Sequence, residues 1–400
     1  MKLGVYNAVL HDRPLPDALK VIADLGLTGI EINSGGFLPA THIPTFDDIL
    51  VSDTARDDYL AIFEGTGVWI AGLNCNGNPL HPDPVIGDKH AEDVRRSIKL
   101  ANRLGQHRVV TMSGLPGGEP GATHPNWIVN AWNSGSLDVL DYQWGIAAPF
   151  WREIDALAAD LDVKVALELH PQNLVFNTAD VLKLVELTGA THVGVELDAS
   201  HLFWQQMDPV AVVRALGPLI FHAAAKDVRV NTENAALYGV LDNSFRRLSA
   251  DEPRVNLGGD EWANEWPKKL RLGLRGPWQG ARRRLLDRVP ARPAGSRPGH
   301  ADQHRTRGRR TRPDRGARSR RGGAAGSRRR ADLVTRPHRP SRSGVAGQRG
   351  GQFRQVRSGP RVGLLDVLLE LGPLDPPLIA ATDLDALQVA TADQRVRLRR

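Results

Sequence analysis

Cysteine is almost absent: Cys75 is the only one in 400 residues. A single thiol excludes an internal disulfide framework and fits a reducing compartment, with Cys75 read as a small buried residue. Long hydrophobic runs are missing as well. No stretch approaches the roughly 18 apolar residues that a membrane-spanning helix needs. The opening MKLGVYNAVLHDRPLPDALK has no basic-then-apolar leader pattern. The chain is therefore expected in the cytoplasm, without a membrane partner.

Other absences are regional. Lysine, tyrosine, asparagine and methionine all vanish after residue 270. Residues 271–400 carry 31 arginines and 10 acidic residues, a net charge of +21, whereas residues 1–270 carry 21 basic and 35 acidic residues, a net of −14. An asymmetry of this size suggests a folded domain with a nucleic-acid-binding tail. Against that reading, the tail has no lysine and few aromatics for stacking, and the acidic first part would repel phosphate. Nucleic acid is therefore not the expected partner.

What is present in residues 1–228 is alternation. Strand-like runs occupy 2–8 (KLGVYNA), 29–35 (GIEINSG), 69–77 (WIAGLNCNG), 108–114 (RVVTMSG), 164–170 (KVALELH), 192–201 (HVGVELDASH) and 219–227 (LIFHAAAKD). Helix-like stretches lie between them. In LPDALKVIADLG, Leu15, Leu19, Ile22 and Leu25 share a face, Pro16 suits a first turn and Gly26 a stop. In AEDVRRSIKLANRLG, Val94, Ile98, Ala101 and Leu104 repeat the pattern before Gly105. Strand–helix alternation predicts a parallel sheet, and seven units without a glycine-rich phosphate loop predict a (β/α)8 barrel. The longer insertions, 115–145 and 229–267, follow the fourth and seventh strands, where such barrels build substrate-covering loops. No eighth unit is legible after residue 228, so the barrel is expected to be incomplete. LLDVLLELG (364–372) reads as an isolated helix in an otherwise disordered arginine-rich tail.

Three strand ends hold metal-ligand types: Glu168 in ALELHPQN, Asp198 in VELDASHLF and His222 in FHAAAKD. Side chains alternate along a strand, so Ala166, Glu168 and His170 share a face, as do Gly194, Glu196 and Asp198, and Ile220, His222, Ala224 and Lys226. Each of the three alone is read more simply as a buried, hydrogen-bonded group. Together, at the catalytic rim of consecutive strands, they read as a site for Mn²⁺, Mg²⁺, Co²⁺ or Zn²⁺. His201 is either a group facing substrate or a surface histidine. Asn76 and His81, in NCNGNPLHP, either bind hydroxyls or simply make a turn. Trp127, Trp132 and Trp204 either line a sugar pocket or fill loops and core.

The residues ELHPQN, LDASH and HAAAKD at strand ends, with KLGVYNA and GIEIN at the start, resemble the sugar phosphate isomerase/epimerase family, with its xylose isomerase-like TIM barrel. The resemblance covers about residues 1–267. The Asp-x-x-His of Asp198 and His201 is shared more widely, including by endonuclease IV-type enzymes. The resemblance implies a divalent metal held by Glu168, Asp198, His222 and a glutamate on strand eight. It also implies proton transfer on a sugar or inosose through an enediolate, with Glu168 and that last glutamate as base and acid. His201, Asn76, His81, Trp204 and Lys226 would then surround the substrate, and a homo-oligomer is compatible with it. No strand-eight glutamate is visible in the chain as written.

PGHADQHRTRGRR (298–310) suggests why. Joining the last two bases of each codon to the first base of the next, Gly299 onward permits D-M-L-I-N-I-E-H-E-D. That string has the form of an eighth strand with its glutamate. QGARRRLLD (279–287) permits G-H-D-V-D-F-W in the same frame, which resembles the helix before that strand. GC-rich coding DNA read out of step yields arginine, glycine, proline and alanine and no lysine, the vocabulary observed. A frameshift near Lys268–Arg271 is therefore expected, dividing a barrel of residues 1–268 from a tail of 269–400. The sequence thus predicts a metal-dependent sugar or cyclitol isomerase/epimerase, impaired in this chain. The alternatives are a non-catalytic sugar-binding relic, or a barrel with a basic nucleic-acid-binding arm.

Overall fold

Seven of the strand-like runs become parallel strands, and each ends earlier than its sequence pattern. They are β1 (Lys2–Tyr6), β2 (Gly29–Asn33), β3 (Trp69–Asn74), β4 (Arg108–Met112), β5 (Lys164–Glu168), β6 (Val193–Asp198) and β7 (Ile220–Ala224). The computed structural model describes residues 2–254, 256–258, 261–275 and 378–381. All of these belong to one compact unit; a second unit, residues 290–359, lies outside the described residues. The expected helix at 364–372 and most of the arginine-rich tail also lie outside them.

The ring closes. A four-residue strand, Leu378–Ala381, takes the eighth position, parallel to both neighbours, with Ile379 opposite Ala223 of β7 and Leu3 opposite Ile379 on the other side. LIAA is too short and featureless to be read as a barrel strand; pairing with two free edges decides its place. Four elements between β7 and this strand complete the chain order: β8 (Asp227–Val230), β9 (Asn256–Gly258), β10 (Glu261–Trp262) and β11 (Leu272–Arg275), so the closing strand is β12. β8 and β11 pair antiparallel, Leu272 opposite Val230, so backbone order runs past the boundary read at residue 268.

The helices form for local reasons. In α1 (Leu15–Asp24), Leu15, Ala18, Leu19 and Ile22 are buried, and Gly26 follows at φ 76°. The short helices α2 (Phe46–Val51) and α3 (Asp53–Ala61) precede α4 (Pro84–Arg103), whose N-cap Asp83 accepts a hydrogen bond from Val85 N. The 115–145 insertion is loop only in its first part, since α5 begins at Ser134 and runs to Asp160. α6 (Thr178–Thr188) is capped by Asn177 and stopped by Gly189 in the left-handed region. α7 (Ala199–Phe203), α8 (Pro209–Leu216) and α9 (Thr232–Tyr238) follow.

Alternation along the strands divides the core. Ile30 and Ile32 belong to the apolar layer with Leu19, Ile22, Ile98, Trp151 and Ile154. Glu31, between them on β2, points into the ring and meets β3 and β7. Gly194 lets β6 and β7 approach: a Cβ there would collide with the Leu219 carbonyl and the Phe221 ring.

Candidate active site

The ring interior holds four buried carboxyl groups, Glu31, Glu168, Glu196 and Asp198, where an apolar filling would be the default. They form two linked layers. In the deeper layer, His222 Nε2 lies 2.7 Å from Glu31 Oε2 and 3.8 Å from Glu196 Oε1. Asn74 Nδ2 donates to the other Glu31 oxygen at 2.7 Å. Toward the strand ends, Lys226 Nζ sits 2.6 Å from Asp198 Oδ2, 3.3 Å from Glu168 Oε1 and 3.1 Å from His201 Nε2. His201 Nε2 is in turn 3.0 Å from Glu168 Oε1 and 3.2 Å from Asp198 Oδ2. Asn76 Nδ2 donates to Glu168 Oε2 at 2.7 Å, and the His170 ring packs edge-on against His201.

The electrostatics separate neighbouring carboxyls. Burial alone would raise the pKa of Glu168, but Lys226, His201 and His170 overcome it and hold Glu168 well below the usual carboxylate range. Glu196, its register partner on the adjacent strand, is pushed well above that range by burial and by the charges of Glu168, Glu31 and Asp198. One carboxyl of the adjacent pair thus holds its proton less tightly than an ordinary carboxyl and the other more tightly. Burial disfavours the charge on Lys226, and Asp198 and Glu168 outweigh it, so the amine is held firmly protonated. Burial, then His201, pushes His170 down to about 4, so it is neutral.

The residues read from the sequence separate into these layers. Glu168, Asp198, His201, Asn76 and Lys226 converge at the strand ends. His201 is buried, so it is not the surface histidine of the simpler reading. His222 does not join Glu168 and Asp198 as a common ligand set. The register explains it: His222 pairs with Glu196, and Ala224 stands opposite Asp198. Among the described residues, two groups bring metal-ligand atoms within 4.8 Å of one another: Glu168–His170–His201 and Glu31–Glu196–His222. In the first, Lys226 already contacts Glu168 and His201. The sequence of the closing strand β12, LIAA, brings no carboxylate to the ring.

His81 lies elsewhere, accepting a hydrogen bond from Asp83 N as α4 begins and lining a surface cleft of about 640 Å³ with Pro82 and Tyr142. Trp127 packs edge-on against Phe176, Trp204 is buried at the end of α7, and Trp132 is 86% exposed. Cys75 is buried, its pKa pushed up to about 12 by that burial. Glu31, Asn74 and Glu196 were not singled out as site residues. Their signal was alternation: Glu196 shares a face with Asp198, and Glu31 breaks an isoleucine pair that faces outward.

Known proteins resemble part of this chain. The family model described as Xylose isomerase-like TIM barrel matches residues 19–258. The uncharacterized protein YfiH of Bacillus subtilis is 36% identical over 246 residues, 60% of this chain and 78% of that protein. The inosose dehydratase of Clostridium beijerinckii is 26% identical over 110 residues, 26% of this chain and 37% of that protein. This chain therefore spans well under half of that dehydratase. Among solved structures, the probable 3-DHS dehydratase AsbF of Bacillus anthracis superposes with a TM-score of 0.44 at 19% identity, covering 60% of this chain and 77% of that one. Among the described residues, no helix is long and apolar enough to cross a membrane. With well over half of its length matched, the chain belongs to the Xylose isomerase-like TIM barrel family.

Proposed function

We propose that this barrel moves a proton on a sugar or cyclitol, at the carbon between a carbonyl and a hydroxyl group, as an isomerase or epimerase does. The observation that carries the reading is the adjacency of Glu168 and Glu196 on β5 and β6 in opposite settings, Glu168 against Lys226 and His201, which lower its pKa, and Glu196 among other carboxylates, which with burial raise its own. Neighbouring acids driven to opposite protonation states are what acid–base catalysis at neutral pH requires. Family membership and the partial match to an inosose dehydratase support the substrate class.

Glu168 removes the C–H proton, the carbon lone pair forms the C=C bond, and the carbonyl oxygen becomes the enediolate oxyanion. Lys226, whose ammonium lies against Glu168 and His201, is the group able to donate to the oxyanion. Return of the proton from Glu168 to the former carbonyl carbon, with the hydroxyl proton passing to the enediolate oxyanion so that the carbonyl re-forms on the adjacent carbon, isomerises the substrate. A proton from water added to the opposite face of the original carbon, with Glu168 releasing its own proton to water, epimerises it. Asn76 Oδ1 is buried without a hydrogen-bond partner and is suited to accept a substrate hydroxyl. Glu196 is the protonated reserve beneath the site.

A divalent ion bound by Glu168, Asp198 and His222 does not fit this arrangement, because His222 is engaged one layer deeper with Glu31. Without a strand-eight glutamate, turnover is expected to be slow.

The test is proton exchange. The full chain is incubated in D2O with a panel of ketoses, ketose phosphates and inososes, and the carbon next to the carbonyl is followed by NMR. At least one class is expected to lose that proton, and Glu168→Gln should slow the loss by about 10²–10⁴-fold. Tight sugar binding by calorimetry without exchange would instead identify a non-catalytic sugar-binding protein. Neither binding nor exchange across the panel would sink the proposal.

A further inference from the structure

We propose that the ε-ammonium of Lys226 is the resident cation of the strand-end site, in the position where the resemblance implies a divalent ion, and that such an ion binds there only when Lys226 is displaced. Three donors of the kind that hold divalent ions meet on the Lys226 nitrogen. They are Asp198 Oδ2 at 2.6 Å, His201 Nε2 at 3.1 Å and Glu168 Oε1 at 3.3 Å. Glu168 and His201 belong to a group whose atoms lie close enough to share an ion, and Lys226 touches both.

The backbone makes this substitution. β7 places Ala224 opposite Asp198, so the strand offers no ligand at the level of the carboxylates. Two residues on, Lys226 leaves the end of β7 on the same face, with a stem long enough to bring its nitrogen to that level. Its side chain is 14% exposed, and those of Glu168 and Asp198 are 7% and 0% exposed. Two buried carboxylates need positive charge, and Lys226 supplies one unit that does not dissociate with the solvent. A divalent ion would meet that charge at contact range, where repulsion is large in a buried setting.

The inference rests on the proposed reaction only for its catalytic meaning, since ion occupancy is measured without turnover. The full chain is stripped with chelator and titrated with Mn²⁺, bound ion being counted by electron paramagnetic resonance. Wild type is expected to show no Mn²⁺ that depends on Glu168. Lys226→Met should gain one Mn²⁺ on the order of 100-fold more tightly, through relief of like-charge repulsion. The gain should vanish when Glu168→Gln is added, and Lys226→Arg should stay closed to the ion. Mn²⁺ that survives Glu168→Gln but is lost in His222→Ala occupies the deeper group and supports the proposal, because the strand-end site has stayed closed to the ion. Wild-type Mn²⁺ binding that is lost in Glu168→Gln would overturn the proposal, because ion and lysine would then coexist. So would a Lys226→Met protein with native circular dichroism that gains no ion. The wild-type measurement decides even if Lys226→Met does not fold. Failed deuterium exchange with every sugar would refute the proposed reaction and leave the ion counts standing.

Discussion

A carboxylate shut away from water must be paired or must take up a proton, and the ring uses both solutions. Glu31 is paired, with His222 on one oxygen and Asn74 on the other. Glu196, whose closest ionisable nitrogen contact is 3.8 Å away at His222, is instead pushed toward its protonated form by burial and by the neighbouring carboxylates. Removing one partner of a buried pair leaves the other uncompensated, so His222→Leu is expected to cost about 3–5 kcal/mol. Urea unfolding measures it, and a loss under about 1 kcal/mol would show that the pair adds little beyond ordinary packing. The residues at the strand ends were legible because Glu168, Asp198, His201 and Lys226 sit in short, chemically distinct motifs. The deeper residues were not, because Glu31 and Glu196 are single acids in apolar runs and gain meaning only from what lies across the ring.

At the scale of elements, α6 gives a pH-dependent test away from the site. Burial pushes Asp180 up to about 6, against the opposing effects of the Phe176 amide and Lys183. A raised carboxyl binds its proton more tightly in the folded state. Its stabilising contribution is therefore complete below the unfolded value and is lost as pH rises through about 6. Asp180→Asn removes the ionisation, so it should stabilise the chain at pH 7 by about 2 kcal/mol and change little at pH 4. Thermal unfolding at both pH values checks this; equal effects would refute it. The helices themselves were legible from apolar spacing, proline at the start and glycine at the stop. The strands were legible too, though each pattern ran beyond its strand. Side chains keep alternating into the rim loops, where backbone pairing has already ended. Register was not legible, and it moved His222 from the expected ligand set to the deeper layer.

At the scale of the molecule, the residue vocabulary changes near residue 270, and that change is tested at the level of the gene. A frameshift near Lys268–Arg271 predicts one base missing or added in the DNA spanning codons 260–310. Sequencing that stretch in gene and messenger checks it. A corrected frame should yield a chain whose deuterium exchange is faster than that of this one. An unchanged sequence would mean that the arginine-rich segment is made as written, and salt-dependent binding to nucleic acid would then be measured. Most of that segment lies outside the described residues, so β11, paired with β8, and the closing strand β12 are its contributions to the described fold. LIAA supplies backbone pairing for the edges of β7 and β1 and no acid to the interior.

The sequence by itself determined the family, the strand–helix alternation and the chemical types gathered at the strand ends. Those follow from local periodicity and motifs, which a linear chain displays directly. Tertiary structure alone decided which acids share the ring, which of them keeps its proton and which cation neutralises them. It did so because these depend on register and on distances across the barrel, between residues as far apart in sequence as Glu31 and His222.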